Sequence, residues 1–255
     1  MKIIILGSGT STGVPVIGCK CPVCKSTDKK DQRTRASIAV IPEGSLPIVI
    51  DTAPEFRLQV LDAGITRVEN VLYTHLHADH THGFDDLRAF TFFSKKPIKL
   101  WIKPDYIEDF KQRFNYAFVN TGYRGAKPKV IIEQIPEHNF YIGGQEVEPI
   151  VLEHGHIMTT GFRFGDFAYV TDFKGFPDKI LQRWRGSVRV LVASGIHFGA
   201  HESHSTVPET VELMEKLGVE KGYISHLAHD VDYKRDTPRL PDHIKFAFDG
   251  MMIDV

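Results

Sequence analysis

Apolar, β-branched runs recur along the chain at Ile3 to Leu6, Ser37 to Ile41, Ile48 to Ile50, Val71 to Tyr73 and Ile98 to Ile102, each closed by Gly, Pro or polar residues. Their length and punctuation predict strands. The second half repeats the habit at Val147 to Leu152, Gly161 to Phe164, Phe167 to Val170, Val188 to Val192, Gly222 to Ser225 and Met251 to Val255. Between these runs, Glu55 to Ala63, Asp85 to Phe93, Pro177 to Arg185 and Val207 to Leu217 carry apolar residues at helical spacing, the last opened by the start signals Thr206 and Pro208. Two halves of like element content predict an α/β (α+β) chain folded as an αββα sandwich, with two sheets face to face, helices outside and a site where the loops of the halves meet. One domain is expected over residues 1–255, since no linker or low-complexity stretch divides them. The segment from Pro104 to Pro128 breaks the strand rhythm with Phe110, Phe114, Tyr116, Phe118 and Tyr123. It is read either as a cap over a site or as a surface helix pair that buries its aromatics in a small core of its own.

Composition narrows the function classes. A chain of 255 residues, 42% hydrophobic and 25% charged, is long enough to bury a large core. A net charge of −1 supplies no basic field for long nucleic acid, which favours a small substrate. No run of about 18 apolar residues is present, and the chain enters a core-like strand at Ile3 without a charged leader, so the expectation is a cytoplasmic protein that does not engage a membrane. A homodimer is the default oligomer. The three cysteines, Cys19, Cys21 and Cys24, fall within six residues, a poor disulfide framework but a good metal-ligand spacing, and thirteen histidines point the same way.

The most informative stretch is Tyr73-Thr74-His75-Leu76-His77-Ala78-Asp79-His80, which puts four metal-binding side chains within six positions directly after an apolar strand. In an extended segment His75 and His77 project to one side and can share an ion; Asp79 and His80, one turn on, can hold a second. Two adjacent ions need a shared ligand, usually a carboxylate. Asp172, which ends the strand-like Ala168-Tyr169-Val170-Thr171, is the best candidate. His154 and His226 each follow an apolar strand and would complete the two shells, with His156 competing for the place of His154. Glycines at 7, 9 and 13 lack the Lys-Ser/Thr of a phosphate-binding P-loop and the spacing of a dinucleotide fingerprint. Asp51, at another strand end, is expected to orient a metal-binding histidine or its loop without touching metal.

Together with Leu6-Gly7-Ser8-Gly9-Thr10, Gly13-Val14-Pro15, Asp51-Thr52, Gly83-Phe84-Asp85-Asp86-Leu87-Arg88 and Phe248-Asp249-Gly250-Met251, this pattern resembles the metallo-β-lactamase-fold hydrolases over nearly the whole chain. Within them it is similar to the phosphodiesterases that accompany carbon–phosphorus lyase. The resemblance implies one ion on His75, His77 and His154, the other on Asp79, His80 and His226, and Asp172 bridging. It also implies a structural zinc on Cys19, Cys21, Cys24 and His229, tying the N-terminal loop to the loop of the last catalytic ligand; three thiolates do need one further N or S donor for a tetrahedral zinc. His204 matches the position of the family's catalytic histidine. His197 and His201 share its loop.

The expected activity is hydrolysis of small cyclic or linear phosphodiesters by a hydroxide shared between two divalent ions, manganese or zinc, with His204 protonating the leaving alkoxide and Asp79 helping to orient the water. A cyclic ribose phosphate is the substrate implied by the resemblance. Asp85, Asp86, Arg88 and the aromatic segment are the candidate pocket lining. Three alternatives share the pattern. Processing of tRNA 3′ ends uses the same ligands but usually a projecting basic arm, and no Gly/Lys/Arg-rich insert is visible. Thioester or lactone hydrolysis suits the same ions. A non-catalytic carrier, like the protein of pyrroloquinoline quinone synthesis, would share the cysteine cluster but gain nothing from a complete second ligand set.

Overall fold

A computed structural model describes residues 1–119 and 127–255. The described residues form two seven-stranded sheets. The first contains β1 (Lys2–Gly7), β2 (Ser37–Ile41), β3 (Ile48–Ile50), β4 (Asn70–Leu72), β5 (Ile98–Ile102), β6 (Val130–Gln134) and β14 (Met252–Asp254). The second contains β7 (Phe140–Ile142), β8 (Gln145–His154), β9 (Ile157–Phe164), β10 (Phe167–Val170), β11 (Val190–Ser194), β12 (Lys221–Ser225) and β13 (Ile244–Phe246). Their orders are β14-β1-β2-β3-β4-β5-β6 and β13-β12-β11-β10-β9-β8-β7. In each sheet four consecutive strands, β3 to β6 and β10 to β13, run parallel and the rest antiparallel. The last strand returns to the first sheet, pairing Ile3 with Ile253.

Strand alternation assigns every side chain to one of three layers. Ile3, Ile5, Ile38, Val40, Ile48 and Ile50 face Phe162, Phe164, Phe167, Tyr169 and Val192 in the middle layer between the sheets. Their neighbours Ile4, Ala39, Val49 and Val71 point outward, onto Phe56 and Val60 of helix Phe56–Asp62 and Leu87 and Phe90 of helix Leu87–Ser94. On the far side Ala168, Val170, Leu191 and Ile224 meet Trp184 of helix Asp178–Trp184 and Leu213, Met214 and Leu217 of helix Val207–Leu217. With both faces buried, the central strands are apolar throughout, as their sequence runs are. The layering is the αββα sandwich expected from the sequence.

Three strands are absent from the sequence reading. Val130–Gln134 and Phe140–Ile142 form sheet edges and, like the three-residue Ile244–Phe246, offer at most three consecutive apolar residues, a run too short to mark a strand by itself. The segment after Pro104 forms helices Ile107–Arg113 and Asn115–Phe118. Phe110 and Phe114 are buried in the outer core, each with its ring centroid within 5.3 Å of that of Phe84. It is a helix pair, but its aromatics join the outer core of the first sheet, against Phe84 and Tyr73, and do not form a small core of their own; Tyr123 lies outside the described residues.

Candidate metal centre and catalytic site

The parallel strands of both sheets end on the same side of the sandwich, and the loops leaving those ends build the site. Asp51 comes directly after β3, His75 to His80 after β4, Asp172 after β10, the loop with His204 after β11, and His226 after β12; His154 closes the antiparallel β8. Residues just beyond strand ends in an open α/β sheet have free backbone geometry and a rigid platform. Asp51, Asp172 and His226 use that freedom fully, adopting left-handed backbone with φ of 64°, 52° and 57°. Such a conformation is costly for a non-glycine residue, and residues that adopt it cluster at functional sites.

Asp51 organises the first half of the centre. Its buried carboxylate accepts the Thr74 amide (2.8 Å), the Thr74 hydroxyl (2.8 Å) and the Nδ1–H of His80 (2.7 Å). Because a carboxylate only accepts here, His80 must carry its proton on Nδ1 and turn Nε2 inward. Thr74 passes the same constraint along: its hydroxyl, already donating to Asp51, lies 3.0 Å from Nδ1 of His75 and receives that proton. His154 donates from Nδ1 to the carbonyl of Ser203 at 3.0 Å. His75 Nε2 and His80 Nε2, and both ring nitrogens of His226, are then buried without a hydrogen-bond partner.

Two ligand sets converge in this space. His75, His77 and His154 bring donor atoms within 4.8 Å of one another, as do Asp79, His80 and His226. Asp172 stands between them: its Oδ2 is 3.0 Å from His80 Nε2, and its Oδ1 is 3.1 Å from His226 Nε2 and 3.2 Å from His204 Nδ1. It also groups with His75 and His80. Asp79 Oδ2 lies 3.3 Å from His80 and 3.7 Å from His226. Burial drives protons off His75, His77 and His154. Burial opposes charge on His80 too, yet Asp172, Asp51 and Asp79 together hold its ring protonated well above the usual imidazole range. Burial likewise raises Asp79 and Asp172, but the surrounding imidazoles outweigh it and hold both carboxyls below their ordinary range. Rings with inward-facing nitrogens around buried carboxylates are the donor set of a divalent cation with N/O preference, which would take the place of the proton on His80.

The structure brings together His75, His77, Asp79, His80, His154, Asp172, His204 and His226. It leaves His156 exposed on the solvent side. His201 stays outside the ligand groups, using its Nδ1 to accept the amides of Ser203 (3.3 Å) and His204 (3.2 Å), and so shapes the turn that delivers His204. His197 does the same for Gly199 at 3.0 Å. Asp85 is engaged by Arg88 (2.9 Å) and the Tyr116 hydroxyl (2.8 Å). Thr74, Ser194 and Ser203 escaped the sequence reading. Ser194 offers its hydroxyl oxygen to the Asp172 amide at 3.1 Å. Only Thr74, a small polar residue directly ahead of His75, carried a signal that could have been read.

The aromatic helices touch the centre from behind. The Arg113 guanidinium donates to the carbonyl of Leu76, between His75 and His77. The Tyr106 hydroxyl donates to Met158 O (2.6 Å) and accepts from Met158 N (3.1 Å), fastening the hairpin that starts at His154. At the other end of the site, Cys19, Cys21, Cys24 and His229 form a second ligand group. The sulfurs of Cys19 and Cys21 each lie 3.4 Å from His229 Nδ1. The Cys24 amide, then His229, pull the Cys21 thiol down to about 6, whereas burial pushes Cys24 up to about 11. One thiol primed to ionise beside an imidazole suits a zinc-binding tetrad.

Comparison with known proteins places this geometry. The family model described as a beta-lactamase superfamily domain matches residues 47–227. The chain is 34% identical over 253 residues to a Porphyromonas gingivalis protein named octanoyltransferase, covering 98% of this chain but 51% of that one, so the chain spans about half the length of this relative. Among solved structures, one described as a new diphosphatase from the PhnP family superposes with a TM-score of 0.91 at 33% identity, over 100% of this chain and 97% of the other. The zinc-bound PqqB of Methylobacterium extorquens superposes with a TM-score of 0.79 at 18% identity, over the whole of both chains, a likeness of fold. With the matched span covering more than half of its residues and the αββα sandwich complete around a His/Asp cluster, the protein belongs to the beta-lactamase superfamily and has the metallo-β-lactamase fold.

Proposed function

We propose that the protein is a dinuclear metal-dependent phosphodiesterase acting on small cyclic or linear phosphodiesters. The observation that carries this reading is the pair of ligand sets, His75/His77/His154 and Asp79/His80/His226, meeting at Asp172 with inward-facing, unpartnered ring nitrogens. One set would hold each of two divalent ions, manganese or zinc, with Asp172 shared, and the ions would supply positive charge at the phosphoryl oxygens and a water acidified toward neutrality. The 33%-identical neighbour of TM-score 0.91, named a diphosphatase, supports phosphoryl chemistry over acyl chemistry.

The protein's own residues then divide the work. Asp51 and Thr74 fix the tautomers of His80 and His75 before substrate arrives, so no reorganisation is needed during the reaction. Asp79 accepts a hydrogen bond from the nucleophilic water and orients it. His204, 3.2 Å from Asp172 and 15% exposed in its side chain, joins the cluster to the open side. An imidazole in that place protonates the leaving alkoxide near neutral pH. Cys19, Cys21, Cys24 and His229 would hold a structural zinc.

The test is hydrolysis of bis-p-nitrophenyl phosphate, a 2′,3′-cyclic nucleotide and a diphosphate diester by the manganese- or zinc-loaded protein, beside His80→Ala. Turnover of at least one ester that His80→Ala abolishes is the expected result. A second reading is acyl ester or thioester hydrolysis, favoured by the relative named octanoyltransferase that aligns with 98% of the chain. An octanoyl thioester in the same assay decides between them: cleavage of it alone replaces the first reading with the second.

A further inference from the structure

Arg33 is the one arginine whose side chain is fully buried among the described ion pairs, and it belongs to none of the ligand groups. Burying a guanidinium is costly unless its donors are paired, and in Arg33 both terminal nitrogens are paired while Nε is buried without a partner. Here Nη1 donates to the Ala228 carbonyl at 3.0 Å, and Nη2 donates to the Val231 carbonyl at 2.8 Å and to Asp31 at 3.2 Å. Burial pushes the guanidinium below its usual pKa range, and Asp31, Asp249, Asp232 and Asp230 oppose that shift. The same Asp31 oxygen accepts the Tyr233 amide at 2.9 Å.

The two carbonyls are not arbitrary. Ala228 and Val231 flank His229, the imidazole of the cysteine group, and Ala228 lies two residues beyond His226. On its other side, Arg33 exchanges backbone hydrogen bonds with Val14, both at 2.8 Å, in the loop that leads to Cys19. One planar, five-donor side chain therefore fixes the N-terminal loop, and the loop with both histidines, to a single frame. His226 itself holds left-handed backbone, φ 57°, with no hydrogen bond to either ring nitrogen. The loop that carries it is held by Arg33 together with the backbone bonds from Leu227 N to Ser8 O (2.8 Å) and from Ala228 N to Ile196 O (2.9 Å).

We infer that Arg33 is a positioning residue that locks His226 and His229 in one register, coupling the cysteine–histidine group to the Asp79/His80/His226 group. The inference rests on the ion-binding part of the proposed function, not on its substrate. Its test compares the metal-loaded full chain with Arg33→Lys, Arg33→Met and Asp31→Asn. Circular dichroism reports folding, and ions per chain are counted across an EDTA series. Cobalt substitution separates the sites, since thiolate-to-cobalt absorption marks the cysteine group alone. Wild type is expected to hold three ions. Arg33→Lys, which keeps the charge but cannot span two carbonyls, is expected to stay folded and to hold the cysteine-group and His226 ions roughly 10–100-fold more weakly, the scale of outer-contact changes at metal sites. The ion of His75, His77 and His154 should be unmoved. Activity should fall in kcat with KM unchanged, and excess metal should restore it. Asp31→Asn should weaken the same two ions by less.

Folded Arg33→Lys or Asp31→Asn protein that keeps all three ions as tightly as wild type overturns the inference. So does equal weakening of all three, or failure of every variant to fold, because each marks Arg33 as a general stabiliser. A wild type that binds fewer than three ions defeats the proposed ion assignment itself, a result visible before any variant is compared.

Discussion

The Nδ1–H of His80 meets the Oδ2 of Asp51 at 2.7 Å, with both side chains wholly out of solvent. One bond thus sets which nitrogen of His80 faces Asp79 and Asp172. Asp51→Asn keeps a residue type that tolerates left-handed backbone but has one acceptor oxygen in place of two, so its NH2 must face either the Thr74 amide or the Thr74 hydroxyl and His80 Nδ1–H. We expect ion affinity of the Asp79/His80/His226 set to fall roughly 10–100-fold. Titration of stripped protein with zinc or manganese checks it, and unchanged affinity would remove Asp51 from the centre.

His204 should matter in proportion to the basicity of the leaving group. His204→Ala is expected to slow cleavage of a cyclic nucleotide, whose alkoxide needs a proton, by roughly 10²–10⁴-fold. Release of p-nitrophenolate, which needs none, should change little. Equal losses on both esters would make His204 a binding or structural residue instead.

Removing the ions should expose the strain they offset. Buried ring nitrogens of His75 and His226 without hydrogen-bond partners are costly without a cation. An ion at about a thousandfold above its Kd adds about 4 kcal/mol to the folded state. EDTA should therefore lower the melting temperature sharply and added zinc or manganese should restore it, in a scan of protein with and without chelator.

The cysteines offer a pH test. With Cys21 ionising near 6 and Cys24 near 11, chelator-treated protein should be alkylated first at Cys21. The rate should climb through about pH 6 because only the thiolate reacts. Zinc should protect all three thiols. Peptide mapping after iodoacetamide reads both outcomes, and preferential labelling of Cys24 at neutral pH would contradict the assignment.

Gly83 tests the packing beneath the His/Asp loop. A Cβ there would sit 2.1 Å from the Ala53 carbonyl oxygen and 2.6 Å from the Phe56 Cβ, neither of which can yield like the tip of a flexible side chain. Gly83→Ala should destabilise the fold by roughly 1–3 kcal/mol or more, as overpacking does. Urea denaturation measures this directly.

Much of the architecture was legible because burial on both faces makes a strand apolar throughout. The reading of 37–41, 48–50, 98–102 and 167–170 coincides with β2, β3, β5 and β10, and helix Val207–Leu217 matches its capping signals, with Thr206 and Glu209 closing a capping box and Gly218 in left-handed backbone. The edges β6 and β7 were silent because each offers only three consecutive apolar residues, Val130 to Ile132 and Phe140 to Ile142, too short a run to mark a strand. In the site, His75, His77, Asp79 and His80 were readable together, since four potential ligands within six residues rarely have another use. Cys19, Cys21 and Cys24 were readable for the same reason.

The sequence by itself determined the donor chemistry and the layered pattern, because residue type and periodicity are local properties of the chain. Only the tertiary structure decided which distant residues meet. It aligned the ends of β3, β4, β8, β10, β11 and β12 on one side, chose His154 over His156, and turned Asp51, Asp172 and His226 into left-handed backbone. It also carried Arg33 to the carbonyls on either side of His229, nearly two hundred residues away, at |i−j| of 195 and 198. Such placements arise from strand register and sheet closure, which satisfy buried donors and acceptors across the whole fold at once, and no stretch of sequence contains that sum.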